Sequence, residues 1–280
     1  MGDPPLERDD FAKALQAKRD LYWREHPFHR RLHQGKLSDH EIRAWVANRW
    51  YYQAALPRKD AAILANCPLP EVRRRWIGRI VYQDGRCEGE GGLEAWLRLA
   101  EAVGLTREEV IAERHIAPGV RFATDAYVTF ARERPWPEAV AASLTELFAP
   151  DLMRDRVAAM RHHYPWIDPA GYAYFESRTS AAAGDAEVGL ELVLSHCRTR
   201  EEQEAAQDAL AFKCDVLWAL LDGIERAASD RPGDAATTCC QWSPPSWHSR
   251  PWRNSSSRRG TTATKATAHL GRRPGCSEGP

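Results

Sequence analysis

An all-α fold follows from the hydrophobic pattern of this chain. Apolar residues recur at three- and four-residue steps almost everywhere up to about residue 228, and apolar-polar alternation over strand length is hard to find. Helix-start signals punctuate the same stretch. Ser38-x-x-Glu41, Thr106-x-x-Glu109 and Thr199-x-x-Glu202 each have the capping-box form, in which a hydroxyl and a carboxylate serve free backbone N–H groups reciprocally. Beyond Asp230 the pattern gives way to Ser, Thr, Arg, Pro, Cys and stray Trp, with Leu270 the only aliphatic residue larger than Ala. The chain therefore divides into a helical bundle domain, 1–229, and a low-complexity tail, 230–280, whose composition predicts disorder.

Asp9 and Asp10 are read as caps ahead of Phe11, Leu15 and Leu21-Tyr22, and a short helix is expected from Phe28 to Gly35. The next helix starts at the Ser38 box and should stop at Leu56, because Pro57 has no N–H to continue it. Pro70 opens a helix through Val72, Trp76, Ile80 and Val81, which Asp84-Gly85 ends before a glycine-rich loop over 85–92. Leu93 to Val103 is closed by Gly104, Thr106 boxes a short helix, and Pro118 opens one carrying Phe122, Tyr127 and Phe130. Separate helices follow over Pro137–Phe148, Pro150–His163, Pro169–Ala183 and Asp185–Cys197. The last and longest starts at the Thr199 box and carries Leu210, Phe212, Val216, Leu217, Leu220 and Leu221.

Composition narrows the function classes. With 43% hydrophobic residues and eleven Trp, the 280-residue chain can fill a core without staples. A formal charge of zero argues against a generally basic nucleic-acid binder. The seven Cys include no C-x-x-C pair, which argues against a disulfide framework and a zinc knuckle and points to reduced thiols in the cytoplasm. No stretch reaches the ~18 apolar residues that a membrane span requires.

The most informative run is residues 47–60, ANRWYYQAALPRKD. Trp45, Arg49, Tyr52 and Gln53 share one helix face, which joins a cation, a phenol and an amide and suits a polar, anionic, aromatic ligand; an amphipathic core helix is the competing explanation. Arg75, Arg79 and Gln83 form a second stripe at four-residue steps, and Tyr174 and Arg178 repeat the step. Lys213 lies on an otherwise apolar face, where a snorkelling stem or a buried ion pair competes with a pocket cation of lowered pKa. The Glu-x-x-His repeat of di-iron bundles is missing, and Pro27 interrupts His26, His29 and His33, so no metal is expected. Nucleotide-binding glycine motifs are likewise missing.

Taken in order, WVANRWYYQAALPRKDAAILANCP (45–68), GGLEAWLRLAEAVGL (91–105), ERHIAPGVRFATDAYVTFAR (113–132), SLTELFAP (143–150), HYPWI (163–167), GYAYFESR (171–178) and FKCDVLW (212–218) closely resemble the pyrroloquinoline-quinone synthase family, PqqC, from about Phe11 to Ile224. The resemblance implies a haem-oxygenase-like bundle, with a ring of helices around a central one, acting as a cytoplasmic homodimer. It implies ring closure and eight-electron oxidation by dioxygen of an anionic quinone precursor bearing three carboxylates, with no cofactor and with other proteins of PQQ biosynthesis as partners. Nucleic acid and membrane are not expected partners. By motif it assigns substrate binding to Tyr22, Arg49, Tyr52, Gln53, Lys59, Arg79, Tyr127, Thr145, Arg156 and Lys213, and catalysis to Tyr174 and Arg178, which handle oxygen and peroxide; Gln83 is added to the catalytic set at the position of a family histidine.

Three departures stand out. The family usually carries histidine where this chain has Trp23, Gln83 and Met153, and none of these replacements can shuttle a proton near neutral pH. Gln83 is expected to stand in for the usual acid or base. Two rivals use the same fold: a protein that binds or carries the quinone without turning it over, and a thiaminase-like hydrolase using Cys67, Cys87, Cys197 or Cys214 as nucleophile.

Overall fold

Ser38 and Glu41 start the helix around which the protein is built. The Ser38 hydroxyl accepts the Glu41 N–H at 3.3 Å and the Glu41 carboxylate accepts the Ser38 N–H at 2.8 Å. In this computed structural model, residues 3–229 are described, apart from the side chains of residues 180–183 and 229; the predicted tail at 230–280 lies outside the described residues. In order these residues form α1 (Arg8–Ala17), 3₁₀ turns at Lys18–Leu21 and Trp23–Glu25, α2 (Pro27–His33), α3 (Asp39–Asn66), α4 (Pro70–Trp76), α5 (Gly78–Asp84) and α6 (Gly91–Ala102). There follow α7 (Arg107–Ile111), α8 (Pro118–Glu133), α9 (Trp136–Ala141), a 3₁₀ stretch Ala142–Phe148, α10 (Ala149–His163), a 3₁₀ turn Pro169–Tyr172, α11 (Ala173–His196) and α12 (Arg200–Ser229). No strand occurs among the described residues, and none of their helices is long and apolar enough to cross a membrane.

Helix α3 packs against α5, α6, α8, α9 and α12. Its residues from Trp45 to Trp50 are all buried, so the helix is covered all round rather than along one stripe. The covering is aromatic: Trp45 lies over Phe175 with ring planes 4° apart, and Trp96 meets Trp45 edge-on at 5.9 Å. Trp96 also donates its indole N–H to the Val46 carbonyl at 3.0 Å. A polar group in this middle stretch of α3 therefore faces protein on whichever side it projects.

Several boundaries differ from those the sequence predicts. Helix α3 runs through Pro57 to Asn66 rather than stopping at Leu56; Pro57 still leaves the Gln53 carbonyl without its helical N–H, but Gln83 supplies a donor at 3.3 Å and tertiary packing covers the proline. The single helix expected from Pro70 is broken at Ile77, ahead of Gly78, a poor helix former. That break parts the Arg75-Arg79-Gln83 stripe, leaving Arg75 exposed on α4 and Arg79 and Gln83 buried on α5. The two helices expected either side of Gly184 are one, since a glycine in open space weakens a helix by only ~1 kcal/mol. The helix over 137–148 is α only to Ala141 and then tightens, because a continued α-helix would set Pro150 against the Glu146 carbonyl. Asp9 and Asp10 lie inside the first turn of α1, whose N-cap residue is Glu7.

Candidate active site

Arg49 projects from α3 into aromatic surroundings, its guanidinium 4.6 Å from the Trp23 ring centroid, 4.7 Å from Tyr52 and 5.8 Å from Trp96. It is 4% exposed, yet its Nε and Nη1 have no hydrogen-bond acceptor. The Trp23 Nε1, Gln53 Nε2 and Arg156 Nε are likewise buried without partners. A buried donor without an acceptor costs ~1–3 kcal/mol, so five of them in one region mark a place prepared for an acceptor-rich ligand.

Arg49 and Trp23 line a cavity of about 60 Å³. Of the residues singled out from the sequence, Tyr22, Trp23, Arg49, Tyr52, Lys59, Arg79, Tyr127, Thr145, Met153, Tyr174, Arg178 and Lys213 line it. Gln53, Gln83 and Arg156 are buried but do not. The volume is below the ~300–1,000 Å³ of ordinary ligand sites, so the walls must part to admit a ligand. Tyr22 also borders an outer cleft of about 570 Å³ that includes Arg19, Arg24, Phe148 and Arg154.

Three of the cavity's cations already have partners, and those partners are the residues that motif reading missed. Arg79 grips Glu146 through two hydrogen bonds of 2.7 and 2.5 Å, Arg178 donates to the same carboxylate at 2.5 Å, and Asp185 pairs with both, at 3.3 and 2.9 Å. Lys59 donates to Asp60 at 2.5 Å and Ser143 at 3.0 Å; Asp60 also takes the Trp76 indole N–H at 2.9 Å. Burial works to raise the pKa of Glu146, but Arg79 and Arg178 overcome it and hold the carboxyl at about 2. Lys59 is lowered by burial, with Asp60 opposing. Six cations (Arg49, Lys59, Arg79, Arg156, Arg178 and Lys213) thus stand against three carboxylates. Asp60 and Glu146 could have been found in the sequence, since each sits inside a quoted motif next to an assigned residue; Asp185 carried no such signal.

Lys213 has no carboxylate, contrary to the ion pair that its apolar helix face suggests. Its side-chain nitrogen is 2.7 Å from the Tyr52 hydroxyl and lies 3.6 Å from the Tyr127 ring centroid and 4.3 Å from that of Tyr52. Burial, then Lys59 and Arg49, push its pKa well below the usual 10.5. Burial raises the phenols of Tyr52, Tyr127 and Tyr22, which keeps them protonated.

Behind the cavity, Gln53 Oε1 accepts from the Tyr174 hydroxyl at 3.0 Å and from the Gln83 amide at 3.2 Å. Gln83 is therefore a strut behind the wall and reaches the cavity only through Gln53 and Tyr174. A Cβ on Gly92 would lie 2.5 Å from Gln83 Oε1, so the glycine makes room for that strut. Arg156 donates to His29 Nε2 at 2.9 Å, and its Nη1 meets the Met153 sulfur at 3.7 Å. His29 Nδ1 is 2.9 Å from the Trp23 carbonyl, so the ring is a neutral spacer; burial and Arg156 put its pKa well below 6.5. Burial brings Arg156 itself down to about 10.

Cys67, Cys197 and Cys214 are buried, Cys87 is exposed, and none lines the cavity. Burial pushes the thiols of Cys197 and Cys214 up to about 12, the opposite of what a nucleophile requires. His26, Asp222 and Glu225 converge closely enough to hold a cation. His26 Nδ1, however, accepts the Phe28 N–H at the start of α2, which leaves its proton on the Nε2 that faces Asp222 at 3.2 Å. His162 and His163 sit in the last turn of α10, where a positive side chain is favourable.

Fold and site define an all-helical bundle that encloses a cationic, donor-rich chamber beside its central helix. The same fold occurs in a protein domain with a heme oxygenase-like fold from Shewanella denitrificans, at a TM-score of 0.66 and 14% identity over 81% of this chain and 98% of that one. It occurs again in a TenA homologue protein from P. horikoshii, at 0.62 and 14% over 78% and 98%. The chain belongs to the TENA/THI-4/PQQC family, whose profile matches residues 12–223. It is 54% identical over 227 residues to a pyrroloquinoline-quinone synthase of Pseudomonas aeruginosa, covering 81% of this chain and 91% of the relative. The synthase of Ectopseudomonas mendocina is 55% identical over the same shares, and that of Klebsiella pneumoniae 50% over 228 residues, or 81% and 91%.

Proposed function

We propose that this protein is a pyrroloquinoline-quinone synthase, an oxidase that closes a ring in an anionic quinone precursor and oxidises it with dioxygen, and that it acts as a homodimer. The observation that carries the reading is the group of buried donors without acceptors on Arg49, Trp23, Gln53 and Arg156, beside a cavity whose cations outnumber its carboxylates. A precursor with several carboxylates and quinone oxygens supplies the missing acceptors. Arg49 offers a planar fork to one carboxylate, and Lys213 a compact charge to another.

The division of labour follows from what is already bonded. Glu146 and Asp185 hold Arg178 and Arg79 in place, so these arginines act as fixed positive poles at the cavity wall. Such poles stabilise a quinol anion as it gives electrons to oxygen, and the negative charge that develops on reduced oxygen. Tyr174, locked by Gln53, keeps its hydroxyl proton directed at the amide, which sets where its oxygen can accept a bond from the ligand. Tyr22 borders the outer cleft and is the side chain that an incoming ligand meets first.

Incubation of the purified protein with the ring-open precursor and oxygen should yield quinone absorbance and hydrogen peroxide. No imidazole lines the cavity, and this observation favours one rival, a quinone carrier. Tight binding without product over many hours would select the carrier. Light scattering of the purified protein tests the homodimer, and a monomer at working concentration rejects it.

A further inference from the structure

Three buried cations at the site have no carboxylate partner: Arg49, Arg156 and Lys213. The arginines keep their charge under ordinary conditions, whereas a lysine can shed its own. Lys213 is 1% exposed and lines the cavity, and its nitrogen is bonded to a phenol rather than to an acid. The titratable and charged groups that face it are Arg49, Tyr52 and Lys59 on α3, Tyr127 on α8, Glu146 in the 3₁₀ stretch and Cys214 on its own helix. Two of these are cations and oppose a charge on Lys213. The one carboxylate is engaged by Arg79 and Arg178.

We infer that Lys213 is a free amine while the cavity is empty and takes one proton from solvent when a polycarboxylate quinone enters. This rests on the reading of the cavity as a polycarboxylate site. In the empty state the amine lone pair accepts the Tyr52 hydroxyl proton at the observed 2.7 Å. When a ligand carboxylate arrives, the lone pair binds a solvent proton, and the ammonium then donates to the Tyr52 oxygen and to the carboxylate. The ring faces of Tyr127 and Tyr52, 3.6 and 4.3 Å away, favour the cation once formed. Burial and the neighbouring cations oppose it until an anion compensates. The site thereby gains a positive charge for an anionic ligand and for no other, so an esterified quinone forfeits both the proton and the contact.

The full chain has six lysines, so a protein labelled with ¹³C at lysine Cε gives a spectrum simple enough to read. The Lys213 signal is the one lost in Lys213→Arg, or in Lys213→Gln if the arginine variant fails to fold. Without ligand it is expected at the free-amine position at neutral pH, and with saturating pyrroloquinoline quinone at the ammonium position. Calorimetric titration in two buffers of different ionisation enthalpy should give uptake of close to one proton by the wild type and close to none by Lys213→Arg. An ammonium signal in the ligand-free protein overturns the inference, and so does a free amine that persists in the bound complex. A quinone that produces neither heat nor any spectral change overturns the reading of the cavity itself, and the uptake with it; the ligand-free spectrum still reports the state of Lys213.

Discussion

The Gln83 side chain donates to the backbone carbonyl of Gln53 at 3.3 Å, the carbonyl that Pro57, four residues on, has no N–H to serve. A proline on the central helix and an amide on α5 are thus two halves of one arrangement. The same amide reaches Gln53 Oε1, and through it the hydroxyl of Tyr174.

Removing the strut should cost stability in a way that depends on the proline. Gln83→Ala is expected to destabilise by ~1–3 kcal/mol, the usual penalty for a buried carbonyl left without a donor. In a Pro57→Ala background the helix supplies its own N–H, and that loss should shrink by ~0.5–2 kcal/mol. Urea denaturation of the four proteins gives the interaction directly, and strictly additive losses would rule out the shared carbonyl.

Glu146 makes the fold sensitive to acid. Its carboxyl is lowered from 4.5 to about 2, so the stabilisation is full above about pH 4.5 and is lost as pH falls through about 2. Across that window the wild type should lose on the order of 3 kcal/mol relative to Glu146→Gln. Thermal melts of both proteins from mildly to strongly acid buffer test this, and parallel curves count against it.

Lys213 acts with the opposite sign. A buried amine whose pKa falls on folding binds fewer protons than it does in the unfolded chain, so it destabilises the fold increasingly as pH drops below about 10.5. Lys213→Met should therefore raise the melting temperature of the ligand-free protein, by an amount that grows from alkaline to neutral pH. A gain of ~1–4 kcal/mol is in the range found when buried charges give way to apolar side chains. The same variant should bind the quinone more weakly.

Restoring an imidazole should matter where it touches the ligand. Met153 lines the cavity and Gln83 does not, so Met153→His is expected to raise turnover, by ~10²-fold if proton transfer limits the rate. It should also add an ionisation below the usual ~6.5 to the pH profile of kcat/KM, because the Arg156 guanidinium is adjacent. Gln83→His should add no such limb. The reverse result would place the chemistry at residue 83.

Periodicity made the all-α fold legible, and the three capping boxes located helix starts that the structure keeps. It could not reveal that α3 continues past Pro57 or that α11 continues through Gly184, since both depend on what tertiary packing tolerates. The cationic wall was legible from Arg49, Lys59, Arg79 and Arg178 in ordered motifs. The carboxylates that hold it were harder to see: Asp185 on α11 meets Arg79 on α5 only in the folded chain. Local spacing also says nothing about depth: it could not show that Gln83 bonds to Gln53, which in turn holds Tyr174 at the cavity.

Gly92 limits how this sequence can change. Any larger residue there would press its Cβ against the Gln83 side-chain oxygen, so the amide must shift while its nitrogen keeps two bonds to Gln53. The glycine at 92, the amide at 83 and the proline at 57 therefore form a linked set, in which drift at one position is tolerated only with compensation at another. A search for active variants that randomises the first turn of α6 should recover bulky residues at 92 only together with a shorter side chain at 83.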